Sequence, residues 1–277
     1  KCVSCRRASA ARWSDRLMLE LQDHEESCFL TLTYDDEHIN WVNEPSGDGD
    51  DILYTLNKRD LQLFMKRLRK KIEPKRVRFF ACGEYGEQTF RPHFHVIVFG
   101  WCPEDLAFLK RNFQNDVLYT SQEVRNLWKL GNISVGRVTQ NSCRYVARYC
   151  MKKAFGVDLS FYTHMGILPE FVEMSRKPGI GRKYFELHYD EIAKYKTINL
   201  PTDSGGLSIS IPPYYVNLIE SIDPDLYRDI KESNKRAAIM RKELILQNTD
   251  FDYTAYLEML EGKIFRKEKI YKRDAII

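Results

Sequence analysis

The chain has 277 residues, 43% of them hydrophobic and 13% aromatic, with a formal net charge of +4. That length supports one good-sized core, or one core with an accessory region, and the aromatic content excludes global disorder. A charge of +4 is too small to establish a polyanionic partner by itself, and no apolar run approaches the ~20 residues that span a bilayer.

Seven cysteines are scattered without disulfide-scaffold spacing, and no signal peptide precedes them, so a reducing cytoplasm is expected. Cys2 and Cys5 form a C-x-x-C pair, but no second pair follows to complete a zinc site, and they are read as ordinary cysteines. The chain opens on Lys1 rather than methionine, which predicts a natural start further upstream.

In chain order, Ser9 to Asp23 reads as a helix with Trp13, Leu17 and Leu21 on one stripe. "CFLTLTYDD" (28–36) alternates and reads as a strand that ends in an acidic turn. Residues 43–51 are loop by composition. "LNKRDLQLFMKRLRKKI" (56–72) reads as a helix capped by Asn57, with Leu61, Phe64, Met65 and Leu68 inward. "VRFFACGEYG" (77–86) and "FHVIVFG" (94–100) read as paired strands. A helix over Ser121–Leu130 stopped by Gly131, a strand at 133–139 and a helix over 141–156 with Asn141 near its cap follow. Residues 197–213 read as a linker from their Pro, Gly and Ser content, and Asp223–Pro224 opens a long charged helix. The fold expected is α+β: a central antiparallel sheet with flanking helices over residues 1–190, and an accessory linker and helical region over 191–277.

Charge is unevenly placed. Asp35, Asp36, Glu37, Glu44, Asp48, Asp50 and Asp51 fall in a stretch without Lys or Arg, whereas residues 58–78 carry ten bases against Asp60 and Glu73. The basic helix, with Lys66, Arg69 and Lys70, is a candidate for tracking phosphates. "MSRKPGIGRKYF" (174–185) combines Arg176, Lys177, Arg182 and Lys183 with glycines, and Tyr184 there is a candidate for base stacking.

His93 and His95 share one strand face in "RPHFHVIVFG". If the two strands pair as a hairpin, Glu84 lies opposite them. Two imidazoles and one carboxylate suit a divalent metal, Mg²⁺ or Mn²⁺, with positions open for a substrate phosphate. In "CRYVARYCMKK", Tyr145 and Tyr149 are four residues apart and share a helix face, flanked by Arg148 and Lys152. Cys143, Val146, Ala147, Cys150 and Ala154 occupy the opposite, packing face. His24, His38, His164 and His188 lack ligand spacing and read as surface or capping residues, and Asp35 and Asp36 as ordinary acidic turn residues.

"FLTLTYDD", "GEYG", "RPHFHVIVFG" and "YVARYCMKK", in this order, resemble the motifs of HUH-type rolling-circle replication initiators with two tyrosines. With "LQLFMKRLRKKI", "MSRKPGIGRKYF" and "KCVSC", the chain resembles the initiators of gokushovirus-like microviruses, from residue 1 to about 190. The resemblance implies an HUH nuclease domain of the RRM/ferredoxin-like type. It also implies an enzyme of the phage-infected bacterial cytoplasm that nicks single-stranded origin DNA, stays attached to the 5′ phosphate and rejoins the displaced strand. Its partners would be the single-stranded and replicative-form origin, with host helicase and polymerase. It matches Tyr145 and Tyr149 to the nucleophiles, His93, His95 and Glu84 to the metal ligands, and Lys152 and Lys153 to the lysines that follow; Lys152 would add charge at the phosphate, and Arg148 and Lys153 would contact DNA. Two other functions fit the residues: a non-catalytic nucleic-acid-binding protein, which has no need for tyrosines beside a metal site, and a metal-dependent phosphodiesterase that activates water and leaves no covalent adduct.

Overall fold

The structure, a computed structural model, describes residues 3–42, 53–86, 89–112, 114–154, 159–202 and 205–274. The side chains of 149–154 and of a few residues near the termini lie outside that description. Residues 16–184 form one compact unit, and residues 1–15 with 185–277 form another.

The first unit is built on a seven-stranded antiparallel sheet. Its elements begin with the end of α1 (Val3–Leu21), then β1 (Ser27–Tyr34), α2 (Lys58–Lys71), β2 (Arg78–Tyr85) and β3 (Pro92–Phe99). They continue through β4 (Ala107–Arg111), β5 (Val117–Thr120), α3 (Gln122–Trp128), β6 (Gly131–Gly136), α4 (Gln140–Ala154), α5 (Leu159–His164), β7 (Phe171–Met174) and the start of α6 (Arg182–Leu187). The order across the sheet is β4-β5-β6-β1-β3-β2-β7. Its middle four strands, with α2 and α3 as crossovers, make a βαββαβ unit of the ferredoxin-like kind.

Alternation along β3 decides what each sheet face does. Phe94, Val96 and Val98 point to one face and join Leu30, Leu32, Leu61, Phe64, Leu68 and Trp128 in the core beneath α2 and α3. His93 and His95 therefore point to the other face. Asn57 caps α2 by accepting from the Arg59 N–H, as its sequence suggests. Ser121 caps α3, accepting from the Val124 N–H. That helix ends at Lys129 in the left-handed conformation, not at Gly131. Gly131 instead begins β6 at φ +142°, where a Cβ would come within 2.3 Å of the Asp35 nitrogen. Thr139, not Asn141, caps α4 through the Ser142 N–H. Gly156 lies outside the described residues.

α1 closes the far end of the histidine face. Buried Glu20 pairs with Arg78 and with His24 and accepts from the Gly181 N–H at 2.6 Å. His24, read from sequence as a surface residue, is thus half-buried in this cluster and lies 5.7 Å from the Phe99 ring. Arg16 and Arg78 donate to the Ile180 and Pro178 carbonyls, both at 2.8 Å, so the basic loop is fastened from beneath. Removing one partner of such a buried pair strands the other, so Glu20→Ala is expected to lower unfolding stability by about 3 kcal/mol in a urea titration. Burial alone would raise the Glu20 carboxyl, but His24, the Gly181 N–H and Arg78 hold it below its ordinary 4.5. Its contribution is complete above that value and is lost as pH falls through the lowered one. Glu20→Gln should therefore flatten the acid limb of the stability profile.

The second unit holds α7 (Tyr189–Tyr195), strands β8 (Thr197–Thr202) and β9 (Gly205–Ser210), α8 (Pro213–Ile222), α9 (Pro224–Gln247) and α10 (Tyr253–Asp274). The stretch read as a linker is thus largely a β-hairpin, with Thr197 paired to Ser210. Its Pro and Gly residues are accommodated because it is an isolated two-stranded ribbon with both edges open. Asp223 caps α9 by accepting from the Leu226 N–H at 2.9 Å, with Pro224 in the first turn. No helix among the described residues is long and apolar enough to cross a membrane.

Candidate active site

Register assembles the site. β2 and β3 pair so that Glu84 faces His93 and Cys82 faces His95, while on the other side Thr31 of β1 faces His95. The hairpin needed to bring Glu84 to the histidines is therefore present. His93 Nε2 lies 2.6 Å and His95 Nε2 2.8 Å from the same Glu84 Oε1. α4 lies over β2, β3 and β7. Its buried stripe includes Cys143, Val146 and Ala147. This turns Tyr145 inward at the strand end, where its hydroxyl donates to Glu84 Oε1 at 2.9 Å and its ring meets His95 edge-on at 4.9 Å.

The protonation of the histidines follows from their outer partners. The Arg91 carbonyl, 3.1 Å from His93 Nδ1, can only accept, so that nitrogen carries a proton. The Nε2 lone pair of neutral His93 then points at a carboxylate oxygen, an arrangement that calls for a proton or a cation between them. Accordingly, although burial pulls the His93 pKa down, the Glu84 hydrogen bond and charge lift it above its ordinary value. His95 is fully enclosed and pulled down, a shift that Glu84 only partly offsets. Its Nδ1 lies 3.1 Å from the Thr31 hydroxyl, and Phe29 stacks on its ring at 5.3 Å. Burial would raise Glu84, but the bonds from both histidines outweigh it and hold the carboxyl at about 2.

These residues fit a metal. Glu84, His93 and His95 each offer a ligand atom, all within 4.8 Å of one another. Glu84 Oε2 is buried without a hydrogen-bond partner, an orphan that a cation would satisfy. Two nitrogens and one carboxylate leave coordination positions open for oxygen ligands. Tyr145 is a phenol in this state: burial and then the Glu84 charge push its pKa well above the usual value, with Arg148 pulling slightly the other way.

Other residues singled out from sequence are placed differently. The side chains of Tyr149, Lys152 and Lys153 lie outside the described residues, although α4 carries their backbone. Arg148 is exposed on the same helix. Lys66, Arg69 and Lys70 are exposed on α2, across the sheet from the histidines, with Arg69 over the Phe79 ring at 5.4 Å. They cannot reach the phosphate that Tyr145 reaches. Arg176 and Lys177 are exposed in the loop after β7, and Lys183 is exposed and Arg182 half-buried at the start of α6. This loop joins the beginning of β2 through Ser175 and Phe79, roughly 17 Å of strand from Glu84. Tyr184 is buried at 7% exposure, which removes it as a base-stacking residue. Asp35 and Asp36 are turn residues: Asp35 binds His38, and Asp36 pairs with Arg91 at 2.6 Å. His188 and His38 pair with nearby acids, and Cys5 is an exposed free thiol. Cys2 lies outside the described residues. Thr31 and the Arg91 carbonyl escaped the sequence reading; the alternation of Thr31 and Thr33 with apolar residues was the available signal for a polar site on that face.

Fold and site together define an α+β protein with a two-histidine, one-carboxylate centre of metal-binding type and a tyrosine hydroxyl inside it. Residues 27–154, which span that whole constellation, match the family model of replication-associated protein ORF2. The chain is 34% identical over 255 residues to replication-associated protein VP4 of Bdellovibrio phage phiMH2K, covering 88% of this chain and 73% of the relative. It is 30% identical over 281 residues to replication-associated protein ORF2 of Spiroplasma virus 4, covering 99% and 82%. Against replication-associated protein ORF4 of Chlamydia phage 1 it is 31% identical over 230 residues, covering 80% and 53%. The chain belongs to this replication-associated protein family. No solved structure matches it.

Proposed function

We propose that the chain is a replication initiator that nicks single-stranded origin DNA through a tyrosine and rejoins the displaced strand, as in rolling-circle replication of a small single-stranded DNA phage. One observation carries this reading: the Tyr145 hydroxyl and both histidine Nε2 atoms converge on Glu84 Oε1. Attack by Tyr145 Oη would form the Oη–P bond and break P–O3′. The phenol proton leaves, the departing oxygen is protonated to a 3′ hydroxyl, and the 5′ phosphate stays on the tyrosine. Tyr149 would serve the second transfer, with Lys152 adding positive charge beside the phosphate.

Glu84 orients the Tyr145 hydroxyl but, at about 2, is too weak a base to deprotonate it. Mg²⁺ or Mn²⁺ held by Glu84, His93 and His95 would polarise the phosphoryl oxygens and favour the phenolate. Thr31 and the Arg91 carbonyl hold the two rings with Nε2 toward that position. Thr31→Val is accordingly expected to weaken Mn²⁺ binding about 10- to 100-fold in a calorimetric titration, without altering the fold.

Lys66, Arg69, Lys70, Arg176, Lys177, Arg182 and Lys183 would bind flanking DNA away from the cut. Arg148 and Lys153 would bind closer to it. Host helicase and polymerase, and the bacterial cytoplasm, follow as partners and setting. The testing experiment incubates the chain and Mn²⁺ with single-stranded oligonucleotides tiling the phage genome, followed by a denaturing gel. A slow-migrating protein–DNA band is expected. Cleavage without the band would instead indicate water as the nucleophile, and binding without cleavage a non-catalytic protein.

A further inference from the structure

Two aromatic rings at the catalytic end of the sheet are not used by the core. Phe90 is 37% exposed and Phe161 is 43% exposed. Phe90 stacks on Tyr85 with centroids 4.8 Å apart and planes 14° from parallel. Phe161 meets Phe90 edge-on at 6.3 Å and Tyr162 at 5.5 Å. Tyr85 and Tyr162 are themselves buried, so an enclosed pair backs an open pair.

The backbone holds Phe90 where it is at some cost. Its φ is +54°, in the left-handed region that large side chains rarely adopt. The Phe90 N–H donates to the Gly86 carbonyl, and the Gly86 N–H to the Arg91 carbonyl, both at 3.0 Å. That same Arg91 carbonyl fixes His93 Nδ1. The turn presenting Phe90 and the ring that faces Glu84 thus share one hydrogen-bonded joint. Phe90 precedes His93 by three residues, at most about 10 Å of chain.

We propose that Phe90 and Phe161 form a stacking platform for an unpaired base beside the phosphate attacked by Tyr145; this rests on the nickase reading above. The ligand is a single strand, because a base offers its face to a protein ring only when it is unstacked. Two rings match one or two bases. They fall far short of the ~800 Å² per partner that a stable protein interface uses. Stacking of this kind tolerates any base, so the platform selects strandedness rather than sequence.

The test uses a single-stranded thymidine oligonucleotide with one 2-aminopurine, scored by fluorescence and by affinity, for the full chain and for Phe90→Leu/Phe161→Leu. Leucine keeps the apolar bulk and removes the ring. The wild type is expected to quench the probe, and the double variant to bind about tenfold more weakly with quenching lost. Equal affinity and equal quenching would overturn the platform. Phe161→Leu alone, on an ordinary helix, gives the same readout if Phe90→Leu disturbs the turn. The assay needs no cleavage, so its failure is separate from failure to form the covalent band.

Discussion

Tyr145→Phe combined with Tyr149→Phe is expected to abolish the covalent protein–DNA band, a loss of more than about a thousandfold. The reason is geometric. The Tyr145 hydroxyl sits 2.9 Å from Glu84 Oε1, within the triad. Removing one oxygen leaves the ring against His95 and leaves the histidine–carboxylate contacts intact. The variant should therefore keep a cooperative unfolding transition, Mn²⁺ affinity and DNA affinity while losing the adduct. That separation matters, because a hydrolase acting through water would keep cleaving.

His95→Ala is expected to lower Mn²⁺ affinity by more than about 100-fold, because loss of a ligand exceeds the 10- to 100-fold effect of losing a ligand's orienting partner. The adduct should fall with it. Proton competition supplies a second signature. His93 must be neutral to ligate, and Glu84 holds its pKa above 6.5. Mn²⁺ affinity should therefore rise with pH through and above that value and level off once His93 is fully deprotonated. In Glu84→Gln the lifting charge is gone, so the rise should move to lower pH while overall affinity drops. Calorimetric titrations between pH 6 and 9 measure both.

Much of the site was legible because it is written in strand alternation. H-x-H with apolar neighbours fixes two imidazoles on one face, and the short connection between β2 and β3 leaves little freedom in where Glu84 falls. Helix periodicity did the same for Tyr145: the small buried stripe of Cys143, Val146 and Ala147 faces the sheet, and the tyrosine lies at its margin. What stayed hidden depended on tertiary placement. All five residues of β4 are exposed, so no alternation marks it. β8 and β9 lie in a stretch whose Pro and Gly content reads as loop, because an isolated ribbon carries little burial pattern. The position of Lys66, Arg69 and Lys70 across the sheet from the histidines depends on which face α2 covers, and local sequence does not record that. Tyr184 is buried by packing that its basic neighbours conceal.

The most direct measurement of the central claim is mass-spectrometric mapping of the DNA-linked residue after trypsin digestion. Cleavage after Arg144, Arg148 and Lys152 places Tyr145 and Tyr149 in separate peptides. A nucleotide carried through phosphate by the peptide Tyr145–Arg148 is the predicted result. A label found only on Tyr149–Lys152, or anywhere outside α4, would contradict the account.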